Sequence, residues 1–136
     1  MAVVTFAYDG GYDPSAPVIE IGVGPADGAP ARLTVLALVD SGADGTVLPE
    51  AMLQQVGARY VQRRMLRGIT GDRVAVNLHL VAIHVRGQVI ASIRAVADKS
   101  GNEAIIGRDV LNQLMMTLDG PAKTVTIHPS PPGPVG

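Results

Sequence analysis

The sequence predicts an all-β fold of many short strands with one or two short helices, closed as a barrel or layered as a sandwich. Three observations carry this. Hydrophobic residues make up 47% of the 136, yet there is one Phe, three Tyr and no Trp. The core is therefore aliphatic, and the Val, Ile and Leu that dominate it lean toward strands. Apolar runs are short and bounded by Gly, Pro, Asn and Asp, the punctuation of turns. Helical punctuation or spacing occurs near 49–57 and again past Gly107. The length fits one domain, able to bury roughly two-thirds of its unfolded surface. That domain is expected over residues 1–128, with the Pro/Gly-rich 129–136 as a flexible tail.

Taken in order, residues 3–8 read as a strand, ended by the loop Asp9-Gly10-Gly11-Tyr12-Asp13-Pro14. Residues 18–21 form a second strand, and 22–30 a Gly/Pro/Ala-rich connection. Residues 32–39 form a third, whose uncharged apolar run predicts burial, so that Asp40 stands where a buried strand stops. After Thr46-Val47-Leu48 the chain carries Pro49 at a first helical position and Gly57 at a C′ position, which bounds a helix of about two turns. Two extended arms, 60–66 and 73–80, flank Arg67-Gly68-Ile69-Thr70-Gly71-Asp72 and predict a long hairpin with a glycine-bounded tip. In the second arm Val74, Val76, Leu78 and Leu80 share one face, and from Val81 the apolar parity flips to Val81, Ile83 and Val85. Such a flip predicts a bulge or bend near Leu80-Val81. Arg86-Gly87 turns the chain into a strand over 89–97. Residues 103–114 begin as a buried strand and shift to helical spacing, and 116–118 with 124–127 close a hairpin around Asp119-Gly120-Pro121.

Composition narrows the function classes. A net charge of −1 gives no general reason to expect nucleic acid or an anionic membrane as partner. With no cysteine there is no disulfide framework, thiol nucleophile or thiolate metal site. No stretch of 18 consecutive apolar residues predicts a membrane span, and the N-terminus lacks the pattern of a signal peptide. A soluble cytoplasmic protein is the expectation. His79, His84 and His128 predict no metal site: His79 and His84 fall on opposite faces of an unbroken strand, although the predicted bulge would restore one face. Arg59, Arg63, Arg64, Arg67 and Arg73 are read as a solvated face of an exposed hairpin, against the alternative of attraction for acidic substrate segments.

The chemistry gathers at Leu38-Val39-Asp40-Ser41-Gly42-Ala43-Asp44-Gly45-Thr46-Val47-Leu48. Burying a carboxylate is costly unless it is paired, hydrogen-bonded or used. Asp40-Ser41-Gly42 alone reads equally as a strand-ending turn, but the apolar lead-in and the continuation to Leu48 lengthen the pattern. A second mark follows at Ile105-Ile106-Gly107-Arg108-Asp109-Val110-Leu111. Together with the glycine-bounded tip between them, these segments resemble the retropepsin-like aspartic proteases over about residues 32–127.

The resemblance implies a closed barrel, one lobe per chain, working as a two-fold homodimer on a peptide or protein substrate without a metal or organic cofactor. Hydrolysis of a peptide bond by carboxylates needs two of them around one water, one as base and one as proton donor. The chain has one Asp-Ser-Gly, so the second Asp40 must come from a symmetry mate. Ser41 would brace the two loops across the dimer, and Gly42 would let backbone approach substrate. Asp44 and Arg108 correspond to the family's structural ion pair, with Asp44 also near substrate. Ala43 offers the catalytic carboxylate no hydroxyl donor, which places the expected rate optimum at mildly acidic to neutral pH. Gly68, Ile69, Thr70 and Gly71 correspond to a mobile flap, with an ordinary polar hairpin as the competing reading. Val47, Ile69 and Ile105 match positions lining the central subsites and imply an apolar preference, though plain core packing would also suit them.

The main rival is a catalytically silent barrel serving as a dimerisation or peptide-binding module. A small-molecule-binding β-barrel has no distinctive polar cluster to support it. Retroviral dimers interleave both subunits' termini in one sheet, and residues 3–8 or 124–127 would serve that purpose here.

Overall fold

The computed structural model describes residues 3–68 and 70–129. Ten strands and two short helices follow in the order β1 (Val4–Ala7), β2 (Val18–Gly24), β3 (Leu33–Val39), β4 (Val47–Pro49), α1 (Glu50–Val56), β5 (Arg59–Arg67), β6 (Arg73–Val85), β7 (Gln88–Asp98), β8 (Ala104–Ile106), α2 (Arg108–Leu111), β9 (Met115–Asp119) and β10 (Thr124–His128). Ile69 and residues 130–136, which include most of the expected tail, lie outside the described residues.

Six strands close a barrel. The order is β2-β3-β8-β4-β7-β6, and β6 returns to β2 through Gly22↔His84, Val23↔Ile83 and Gly24↔Ala82. Closure leaves no free edge in the barrel itself, and β5 hangs on β6 beyond the stretch that β2 uses. The barrel encloses Ile19, Ile21, Val23, Ala37, Val81, Ile83 and Ile106, all buried. These residues alternate along their strands, as a period of two requires. A second sheet, β1-β10-β9, lies beside the barrel, with β10 paired on both sides.

Three sequence expectations are corrected. β3 is not a buried strand: Ala37 is fully covered, but Leu36 is 54% exposed. Its uncharged run has one inward face, and among the described residues the other is left exposed at Leu36. Pro49 is the residue before α1 and ends β4, with Glu50 opening the helix. Gly57 closes α1 in the left-handed conformation at φ 71°, where a glycine avoids the Cβ penalty.

The third correction concerns β6. Its apolar parity does flip, but β6 itself runs without an inserted residue. Its neighbours carry the irregularities instead: β5 shifts register between Tyr60 and Gln62, and β7 takes three steps from Ile93 to Ile90 while β6 takes two from Val81 to Ile83. Ser92, inside that longer path, has φ 59°, the left-handed region typical of a bulge. β6 therefore keeps its period of two while the face that is covered changes along its length. Val81, Ile83 and Val85 enter the barrel, whereas Leu78 is buried on the opposite face. His79 and His84 stay on opposite faces of this strand. Among the described residues no group of three or more His, Asp or Glu is placed to hold a metal ion.

Candidate active site

Asp40 leaves the end of β3 half-buried, in a loop tied down by the segment that joins β8 to α2. β3 and β8 run parallel, with Val39 opposite Ile106, and the pairing continues one bond past the strand: Asp40 N–H donates to the Ile106 carbonyl at 3.0 Å. The loop then closes on itself. Gly42 N–H donates to Asp40 Oδ1 at 3.0 Å, and Ala43 N–H to the Asp40 carbonyl at 3.1 Å.

The next contacts reach across the chain. Arg108 N–H donates to the Ala43 carbonyl at 2.9 Å, Arg108 Nη1 donates to the Ser41 carbonyl at 2.8 Å, and Arg108 Nη2 pairs with Asp44. One arginine thus holds the loop at three residues. Gly107 makes the close approach possible: a Cβ there would stand 2.5 Å from the Gly45 carbonyl carbon and oxygen.

Thr46 and Asp109 complete this frame. Thr46 is the one polar residue among the fully buried described residues. Its hydroxyl donates to Asp109 Oδ1 at 2.8 Å and its N–H to Asp109 Oδ2 at 3.1 Å. The same hydroxyl accepts from Gly107 N–H at 3.3 Å, and Asp109 Oδ1 accepts from Val110 N–H at 2.9 Å. A buried polar group is tolerated when its partners are supplied, and here each partner belongs to the loop or to the segment that grips it. Sequence reasoning assigned no role to either residue. The available signal was an acidic residue in the first turn of a helix, a position that favours carboxylates.

A row of apolar side chains crosses the sheet on the face away from the barrel interior. The register places Leu38 beside Ile105, Ile105 beside Val47, Val47 beside Val96 and Val96 beside Leu78. Cross-strand partners share a face, so five strands contribute one residue each. Val47, Val96 and Leu78 form part of the lining of a cavity of about 500 Å³ that also takes in Gly42, Ala43, Asp44, Gly45, Arg64, Leu66, Arg67 and Arg94. Val47 and Ile105, both singled out from the sequence, are thus neighbours in one row.

Other sequence-selected residues fall elsewhere. Ser41 and Gly42 are exposed on the loop. Gly68 and Gly71 close the hairpin tip through Gly68 N–H to the Asp72 carbonyl at 2.8 Å and Gly71 N–H to the Gly68 carbonyl at 3.0 Å. Gly68, Thr70 and Gly71 are exposed, and the hairpin meets the cavity through the β5 arm rather than through these tip residues. Leu66, Leu78, Val96 and Arg94 were missed as cavity residues. Their signal was weak: one basic residue in an otherwise uncharged strand, and apolar residues indistinguishable by pattern from core.

The sequence profile described as "gag-polyprotein putative aspartyl protease" matches residues 30–113. No curated protein matches the chain. Among solved structures, a retropepsin-like aspartic protease from Rickettsia conorii superposes with a TM-score of 0.63 at 13% identity, covering 93% of this chain and 90% of that one. The protease of EIAV, complexed with the inhibitor HBY-793, gives 0.56 at 23% identity over 72% and 86%. The retroviral protease-like domain of Ddi1 from Leishmania major gives 0.54 at 19% identity over 82% and 87%. At these identities the likeness is one of fold.

Proposed function

The chain belongs to the retropepsin-like aspartic protease family, and from that premise we propose that it is an aspartic endopeptidase acting as a two-fold homodimer. The observation that carries the reading is the grip on Asp40. A carboxylate at a strand end is held through its own backbone and loop, by Ile106, Gly107 and Arg108, and the residues that follow it, Gly42–Gly45, line a cavity with an apolar floor. Held positions of this kind are what a general acid–base step requires.

In the proposed reaction, Asp40 of one subunit is ionised and takes a proton from the attacking water. Its symmetry mate is protonated and donates a hydrogen bond to the peptide carbonyl as the tetrahedral intermediate forms. Two carboxylates this close share one proton, and they titrate as a pair. The proton taken from water then passes to the leaving amine. Ser41 braces the two loops across the axis, Gly42 meets the substrate backbone, and residues 68–71 close over it as a lid that excludes water. Val47 and Ile105 favour apolar side chains around the cleaved bond.

Cleavage of a diverse peptide library by the wild type and by Asp40→Asn tests this directly. The expected result is cleavage by the wild type and a loss of about 10²–10⁴-fold in the variant. Equal cleavage by both sinks the assignment of Asp40, and cleavage by neither favours the silent peptide-binding module. Sedimentation across a concentration range accompanies the assay, and an active species that stays monomeric contradicts the shared site.

A further inference from the structure

We propose that the cleft selects peptides with an acidic side chain close to the cleaved bond, held by Arg64 and Arg94. The inference rests on the protease reading and names its substrate class. Arg64 and Arg67 come from β5 and Arg94 from β7, yet all three line the same cavity as Gly42–Gly45. Register explains the convergence of Arg64 and Arg94, whereas Arg67, beside Arg73, falls on the other face of the hairpin. Gln62 lies beside Leu78 and Arg64 beside Val76 on β6, and Arg94 lies beside Leu80 on its other side. Arg64 and Arg94 therefore share a face with Leu78 and Val96, the apolar floor. Arg63, beside Asn77, falls on the opposite face.

The positive charges of this wall outnumber its one carboxylate, Asp44, which is paired with Arg108. Among the described residues none of the three guanidinium groups has an ion-pair or side-chain hydrogen-bond partner within the chain. The nearby carboxylates are already engaged: Asp44 pairs with Arg108, and Asp109 accepts from Thr46 and Val110. The whole chain carries a net charge of −1, so the positive field is a local property of the cleft. A concave site lined by one sign of charge over apolar walls concentrates the field, and guanidinium groups present forks that match a carboxylate. On a solvated surface such arginines would bind little. Arg64 and Arg94 are themselves exposed; what sets them apart is that two strands bring them to one cavity beside the loop that follows Asp40. In a two-fold dimer the cavity occurs twice, so acidic residues are favoured on both sides of the bond.

The test uses pairs of labelled peptides identical except for Glu or Gln, the variable position being walked outward from an apolar centre. Two readouts are taken: kcat/KM with the wild type, and Kd with Asp40→Asn. Glu is expected to be preferred about tenfold at one or more positions on each side. The preference should shrink as salt rises from about 0.05 to about 0.5 M. Arg64→Gln combined with Arg94→Gln should bring the Glu/Gln ratio to about one, whereas Arg63→Gln should leave it unchanged. Because each variant is read as a ratio, a general loss of activity does not mimic the result. Ratios near one with the wild type, a ratio that survives the double substitution, or no binding of either peptide overturns the proposal. Cleavage without a Glu preference removes this inference and leaves the protease reading standing. Salt-sensitive Glu-selective binding without cleavage does the reverse.

Discussion

Thr46 shows how much of the site depends on one hydroxyl. It donates to Asp109 and accepts from Gly107 in a fully buried position. Thr46→Val keeps the volume but leaves Gly107 N–H without its acceptor and takes one of the three hydrogen bonds to Asp109, which costs about 1–3 kcal/mol. The expected outcome is a lower melting temperature together with a loss of peptidase activity, and Thr46→Ser, which keeps the hydroxyl, should restore most of both. Ala43 makes a separate prediction. A serine there gives the dyad a donor that favours its ionised form, so Ala43→Ser should move the acid limb of the pH–rate profile toward lower pH by about one unit. An unmoved limb contradicts that role. At this scale the sequence was informative about Asp40, because a charge at the end of an apolar run stands out, and about Asp44 and Arg108 through the family resemblance. It was silent about Thr46 and Asp109, because a hydrogen bond between residues far apart in the chain leaves no periodic trace.

Among the elements, β6 shows where pattern reading misplaces a correct signal. The parity change at Val81 is real, but its cause is a change in which face is covered. The extra residues sit in β5 and β7, at positions whose own sequences alternate poorly. A bulge is a property of a pair of strands, and one strand's pattern cannot say which partner carries it. Ser92, at φ 59°, provides the check. Ser92→Gly should be tolerated with little change in stability, whereas Ser92→Val, a β-branched residue in the left-handed region, should cost about 1–2 kcal/mol in denaturant unfolding. Equal stability of the two variants would remove the strain argument. β3 fails in the same way as β6: an uncharged strand implies apolar cover on both faces, but among the described residues its outer face stays exposed at Leu36, opposite Glu20.

For the whole molecule, an all-β fold of many short strands was legible in the pattern, closure of the barrel only through the family resemblance, and the strand order not at all. Parallel pairs such as β3–β8 and β4–β7 join segments distant in sequence. A long-range tie also links the loop after β1 to the lead-in of β8: Tyr12 donates its hydroxyl to Glu103. That hydrogen bond, with burial and the negative charges of Glu103 and Asp9, raises the Tyr12 phenol from 10.0 to about 12. A raised folded-state value means the stabilisation is complete below pH 10 and disappears as pH climbs through about 12. Urea unfolding should therefore show the wild type more stable than Tyr12→Phe at pH 9, by less than about 1 kcal/mol because the pair is half-exposed and screened. The difference should vanish near pH 12, and a difference that grows with pH would contradict the assignment.

β10 lies between β1 and β9 of its own chain, hydrogen-bonded along both sides. For the proposed dimer this decides how the subunits come apart. Where two chains lend each other the strands of a common sheet, separation tears secondary structure from both. If the proposed dimer leaves this sheet as it is in the single chain, partners trade places without unfolding. Mixing wild type with Asp40→Asn would then redistribute into hybrid pairs on the timescale of dissociation, each hybrid holding one native and one silenced carboxyl. Under the proposed function, activity would then follow how many copies are present, set by mass action rather than by folding.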